Sequence, residues 1–214
     1  MAKECISFKE TGYFSELICD YLEQTDTLKT FYNRFPNIDN FNKQIENRQS
    51  TFSSKNRAVL ANELKEQYSA IHASKITLSN IEALSKNNTF TITTGHQLNL
   101  FTGPLYFLYK IVSTINLSNE LKQKFPQYNF VPIYWMATED HDFDEINYFN
   151  FQSRKVQWSR ASHGAVGELN TDGLNEVYKA FSKTLGLGKN ADKLRDLFES
   201  AYVKHDNLTD IHYM

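Results

Sequence analysis

Little in this chain of 214 residues points to a cross-linked, metal-bound or membrane-spanning protein. Only two cysteines occur, Cys5 and Cys19, both near the N-terminus and without a CxxC motif or a Cys/His cluster. That argues against a structural zinc and against a disulfide scaffold. No apolar run approaches the roughly 18 residues of a membrane span, and the start MAKECISFKE reads as too polar for a signal peptide. The expectation is a cytoplasmic chain with no membrane partner. Charge of one sign is lacking as well: 23 basic and 25 acidic residues leave a formal net charge of −2, which argues against an extended nucleic-acid footprint. There is no internal repeat and no low-complexity tract. Proline and glycine are sparse, at 4 and 8 residues, so each one that occurs punctuates the pattern.

What is present is a globular composition, 41% hydrophobic and 14% aromatic, enough to build the core of a single domain or of a small bipartite fold. Residues 14–86 read as a helical layer, with helices expected over 14–22, 38–48, 54–71 and 78–84. In the third, Ser53 or Ser54 is the cap and Val59, Leu60, Leu64, Tyr68 and Ile71 form the apolar face. Asn87-Asn88 ends this layer. The β-branched and aromatic run Phe90 to Thr94 and the nearly continuous apolar run Asn129 to Ala137 then read as buried strands. Between them lies a helix that Pro104 opens at its first position and Pro126 stops. Gly103 or Thr102 is its expected cap, and Leu105, Leu108, Ile111, Val112 and Ile115 its inward face. The aromatics Tyr106, Phe107 and Tyr109 read as packing. A strand, helix, strand crossover makes the two strands parallel.

From Ile146 the pattern changes to short alternating runs, at 146–151, 155–158 and 165–169, which suggest hairpins. Helices resume over 174–185 and 191–202. Asp206 to Met214 looks like a helix start that stops before two turns, so the chain is expected to be a fragment of something longer. Half a parallel sheet would leave an open strand edge, which favours association.

Parallel strands carry their carboxyl ends on one edge, where open α/β sheets bind ligands. Two loops should meet there. One is Thr94-Gly95-His96-Gln97-Leu98-Asn99-Leu100-Phe101-Thr102-Gly103. Gly95 and Gly103 allow close backbone approach, the amides of Leu105 and Tyr106 open a helix, and Thr94, His96, Gln97, Asn99 and Thr102 add polar side chains, a set suited to an anion. Lys110, a turn and a half into the helix, is by itself most simply a solvated surface lysine, yet it could reach a phosphate. Taken alone, the glycine pair is most simply a turn, since its spacing is neither a Walker A nor a GxGxxG. The second loop carries Glu139, Asp140, His141, Asp142, Asp144 and Glu145. Packed in a crevice these carboxyls would raise one another's pKa and supply a base, an acid or a seat for an amine. Taken alone, an acidic run at a helix start is most simply solvated. His141-Asp142 also resembles the His-Asp pairs of metal-dependent phosphohydrolases, but His163, His205 and His212 lie in no accompanying pattern, so no metal ligand is assigned.

TGHQLNLFTGPLYFLYK followed by VPIYWMATEDHDFDEIN closely resembles the N-terminal half of the bacillithiol biosynthesis cysteine-adding enzyme family. The likeness runs upstream through Ser79 to Leu84 and weakly down to Asp206 to Asp210. It implies an α/β fold with a Rossmann-like parallel-sheet core similar to class I aminoacyl-tRNA synthetases. On that plan 1–88 is an N-terminal helical segment, 89–145 opens the core, and 146–214 is a connecting-peptide-like insertion followed by the start of a truncated helix. The rest of the core and a C-terminal coiled coil would be missing from an incomplete chain. The implied activity is ligation of cysteine to glucosaminyl malate, with homodimerisation of the full-length parent. ATP or ADP is the only cofactor in question, and nucleic acid is not a partner. On this reading Asp140, His141, Asp142 and His96 are the catalytic candidates. Thr94, Gly95, Gln97, Asn99, Thr102, Gly103, Lys110, Glu139 and Glu145 hold substrate or anion. One departure concerns His96, where relatives often carry glutamine. The alternatives are a nucleotide- or small-molecule-binding module without turnover and a metal-dependent phosphohydrolase.

Overall fold

The structure is a computed structural model, and it describes residues 5–101 and 103–209. The chain forms two compact units, 1–56 and 57–214.

The first unit is helical. Helices α1 (Phe8–Thr11), α2 (Glu16–Leu22) and α3 (Ile38–Thr51) each begin at a polar cap: Ser7, Ser15 and Asn37 accept from a main-chain N–H in the first turn. At Ser7 the cap is reciprocal, because the Glu10 carboxylate accepts from the Ser7 amide at 2.9 Å. Cys19 and Ile45 are buried. The Tyr21 ring packs against Tyr32 and Phe35 at 5.3 and 5.2 Å.

Helix α4 (Ser54–Gln67) follows the Ser53 cap and passes through a 3-10 turn at Tyr68–Ala70. Its buried positions are Arg57 and Ala61, whereas Val59, expected on the inward face, is exposed. The Arg57 guanidinium is 4% exposed and donates to the carbonyl of Thr89 at 2.8 Å, the hydrogen bond that a buried cation requires. Helix α5 (Lys75–Ala83), capped by Ser74, leads into the crossover.

Strand β1 (Thr89–His96), helix α6 (Leu105–Lys124) and strand β2 (Asn129–Met136) form the expected unit. β1 and β2 pair in parallel, with Thr89 opposite Asn129 and His96 opposite Met136, and α6 packs on both. Three details differ from expectation. Pro104 is the residue before the helix, with extended backbone, and makes no side-chain cap. The strands are less buried than a central pair: among the described residues the sheet has these two strands only, and Trp135 is 60% exposed. The inward face of α6 is also different. Leu105, Leu108, Val112 and Ile115 are exposed, as are Tyr106 and Tyr109, while Thr114, Ser118 and Leu121 are buried. The hydroxyls of Thr114 and Ser118 each donate at 2.8 Å to the carbonyl four residues back. That satisfies them inside the helix and lets polar side chains face the sheet.

After β2 a short helix α7 (Phe143–Ile146) leads to the hairpin β3 (Tyr148–Phe151) and β4 (Arg154–Gln157), whose strands pair antiparallel. The run 165–169 is not a strand. Val166–Glu168 forms a 3-10 turn, because Gly167 is pressed against Thr138 and Thr209, where a Cβ would lie 2.7 Å from either side chain. Helices α8 (Leu174–Thr184) and α9 (Lys189–Phe198) follow, the latter running into a π-helical turn at Glu199–Val203. The helix start expected from Asp206 to Met214 falls in large measure on 210–214, outside the described residues.

The core of this unit joins Leu98, Leu100, Phe143, Ile146, Phe149, Trp158, Phe181 and Phe198, among others. Full burial of each such side chain is worth roughly 1.5–3 kcal/mol. Loops from both strand ends thus contribute directly to the core.

Candidate functional site

The site is positioned by the parallel register. Because His96 and Met136 are level, both chains leave the sheet at one edge, and the Ala137 amide donates to the His96 carbonyl at 3.1 Å. The loop after β1 does not wander. Leu98 and Leu100 are at most 1% exposed, and the Leu100 amide donates to the Ile146 carbonyl at 2.9 Å. Phe101 has a left-handed backbone, φ 57°, and its amide donates to the Tyr202 hydroxyl at 2.5 Å. Two apolar anchors, with a polar residue between and beside them, hold Gln97 and Asn99 in place.

Gln97 ties the two loops together. Its amide Nε2 donates to Glu145 Oε2 at 2.7 Å, and the same side chain hydrogen-bonds Asp140. Asp140 is half-buried. Its Oδ1 accepts from the Asp142 main-chain N–H at 2.9 Å. These donors, the Asp142 amide first and the Gln97 side chain with it, hold the Asp140 carboxyl below the ordinary range. The expected mutual raising is overturned at this residue. Hydrogen bonding to the ionised form outweighs burial, and the other acids of the loop are exposed, where solvent screens their repulsion.

His96 is 8% exposed. Asn99 Nδ2 lies 2.8 Å from its Nδ1, and its ring packs against Tyr106 and Phe107 at 5.1 and 5.2 Å. Burial lowers its pKa, opposed by the Gln97 carbonyl. Between that lowered value and about 6.5, the ordinary imidazole value, the unfolded chain binds more protons than the folded one. Stability therefore rises with pH through this window and is lost as pH falls. The urea midpoint is expected to drop between about pH 7 and pH 5, and to drop less in His96→Gln, measured by fluorescence-monitored unfolding.

Lys110 does not stand free. Its Nζ donates to the Gly95 carbonyl at 2.7 Å, which leaves two N–H donors and places the ammonium at the end of β1. A Cβ on Gly95 would lie 3.3 Å from that of Trp135, and one on Gly103 2.5 Å from that of Asn99. Both glycines therefore serve close approach.

Gly95, His96, Gln97, Asn99, Gly103, Lys110, Asp140 and Glu145 are thus gathered at one sheet edge. Thr94 lies just inside it, opposite Tyr134. Glu139, His141, Asp142 and Asp144 are arrayed around it, all four exposed, and Asp144 accepts from Asn147 at 3.3 Å. Thr102 lies outside the described residues. Among those residues no group of three or more His, Cys, Asp or Glu converges to hold a metal ion.

Three contributors escaped the sequence reading. Tyr134 donates to the His96 carbonyl at 3.2 Å, and burial pushes its hydroxyl up to about 12. Tyr202 reaches Phe101, and Gly167 donates its amide to Thr138 at 3.0 Å. Tyr134 sits in the run read as a buried strand and Tyr202 at the end of an expected helix, so no local signal marks them. Gly167 was the one legible case, as a glycine within an apparent strand.

The family described as bacillithiol biosynthesis BshC, N-terminal Rossmann-like domain, matches residues 1–214. Relatives named "Putative cysteine ligase BshC" are similar throughout. The protein of Flavobacterium johnsoniae is 60% identical over 210 residues, covering 98% of this chain and 40% of the relative. That of Flavobacterium psychrophilum is 55% identical over 211 residues, and that of Christiangramia forsetii 54% over 214, each with the same coverage. The chain therefore spans about 40% of the length of these relatives.

Proposed function

The chain belongs to the bacillithiol biosynthesis BshC family, matching its N-terminal Rossmann-like domain, and on that premise we propose that it is the N-terminal portion of a cytoplasmic ligase joining the carboxyl of cysteine to the amine of glucosaminyl malate. The observation that supports this reading is the Gln97 bridge, a side-chain tie between the anion-suited loop 95–103 and the acidic loop 138–145. A free carboxylate is a poor electrophile, so the cysteine carboxyl needs activation by ATP as an acyl adenylate or acyl phosphate, and the site must hold a polyanion. Gly95, Gly103 and Lys110 with His96, Asn99 and Thr102 are the groups for that anion. Asp140, held ionised, and Glu145 seat the amine as its ammonium form. His141, exposed beside them, takes the proton before attack, and Asp142 and Glu139 add to the negative field that draws the cation in.

The test is an incubation of the full-length protein, of which this sequence is read as the N-terminal portion, with cysteine, glucosaminyl malate and ATP. Mass spectrometry should find the thiol-bearing amide together with AMP or ADP. Residues 1–214 alone should give none, because they span about 40% of the relatives' length. No amide from the full-length protein would remove the proposal, and turnover by residues 1–214 would remove the requirement for the remainder.

A further inference from the structure

Resting on that reading of the crevice, we propose that Asn99 is a positioning residue that fixes His96 as the neutral tautomer with its proton on Nε2. His96 then offers the ligand a hydrogen-bond donor instead of a base.

The geometry sets the tautomer. Asn99 Nδ2 lies 2.8 Å from His96 Nδ1 and 3.2 Å from the Gln97 carbonyl oxygen. An amide NH2 carries two protons, and these are two acceptors for it. Turning the amide over would set Oδ1 against the Gln97 carbonyl, acceptor on acceptor, so the carbonyl dictates which way Asn99 points. His96 Nδ1 must then accept. It also lies 3.2 Å from the same Gln97 oxygen, but a ring nitrogen that accepts from Asn99 has no proton to give there. The proton of the neutral ring is left on Nε2.

Asn99 is itself held. It is 2% exposed, and Gly103, with φ 53°, approaches it so closely that a Cβ would lie 2.5 to 2.8 Å from three of its atoms. Gly103, Asn99 and His96 form a chain of contacts in which each sets the next. The ring plane is fixed from outside by Tyr106 and Phe107. Both polar contacts of the ring within the described residues are at Nδ1, so Nε2 makes no hydrogen bond to a described residue. The charged groups acting on the ring are Lys110 and Glu145. A neutral N–H donor beside the Lys110 ammonium, which is held on the Gly95 carbonyl, suits an acceptor oxygen carrying negative charge, whether carboxylate or phosphoryl.

Two-bond proton–nitrogen correlation spectra of the 15N-histidine-labelled protein near neutral pH read the tautomer directly. His96 should show a protonated Nε2 and a bare Nδ1. Asn99→Asp offers an acceptor in place of a donor, and should move the proton to Nδ1. A protonated Nδ1 in the unaltered protein, or an unchanged tautomer in a folded Asn99→Asp variant, overturns the assignment. Cysteine addition by the full-length protein tests the donor role. His96→Gln keeps a side-chain N–H and cannot act as a base at neutral pH, so it should retain at least ~10-fold more activity than His96→Ala. Equal loss in the two variants overturns the donor role and makes the ring a proton carrier. No loss in either, with the tautomer as assigned, removes this edge as the reaction site and so fails the proposed function separately.

Discussion

Asp140→Asn and His141→Ala, each made in the full-length protein, are expected to lower cysteine addition by at least ~10², for His141 the lower end of what a general acid or base contributes and for Asp140 the loss of the charge that seats the amine. Asp140 has its charge held by the Asp142 amide and by Gln97. Asparagine preserves its shape and removes the charge that would hold an ammonium group. His141 is exposed, so its removal leaves packing untouched and takes away the group assigned to carry the proton. Both variants should keep the far-ultraviolet circular dichroism of the parent. Product thiol formed within a few-fold of the parent rate would assign this loop to structure alone.

Phe181→Ala should be the most damaging of the core changes, lowering stability by about 3–5 kcal/mol. The ring is fully buried and lies 5.1 to 5.6 Å from those of Phe101, Phe149, Phe151 and Phe198. Four aromatic neighbours cannot all collapse into the vacated space, so a cavity remains. Against a total stability of roughly 5–15 kcal/mol for a domain, this is a large fraction. Phe101 belongs to the loop that carries Gln97 and Asn99, so the site should loosen with the core. Urea unfolding should show a lower midpoint at unchanged slope. A loss below about 1 kcal/mol would mean that Phe181 is not packed as described.

The crossover was legible because its signals are local. The β-branched run before Gly95, the aromatic and aliphatic run from Asn129, and the prolines at 104 and 126 each act within a few residues. The pairing of the two loops followed from chain topology alone. Two features were misread, each for a physical reason. The exposed apolar face of α6 looked inward because Leu105, Leu108, Val112 and Ile115 outrank Thr114 and Ser118 in hydropathy, yet those hydroxyls satisfy themselves on their own helix. The 165–169 run looked like a strand because its composition is that of one, whereas the decisive contact is Gly167 against Thr138, a long-range effect whose one local trace is the glycine within the run. The lowered pKa of Asp140 was hidden for a similar reason. Six titratable residues within seven positions suggest mutual repulsion, and only the fold shows that Gln97 and the Asp142 amide reach this carboxylate first.

The central claim, that the loops 95–103 and 138–145 form one ligand-binding crevice, is tested most directly by amide hydrogen exchange in the full-length protein with and without glucosaminyl malate, cysteine and ATP. Ligand that bridges the two should slow exchange in both segments together. Protection confined to one loop, or appearing only elsewhere in the protein, would contradict it.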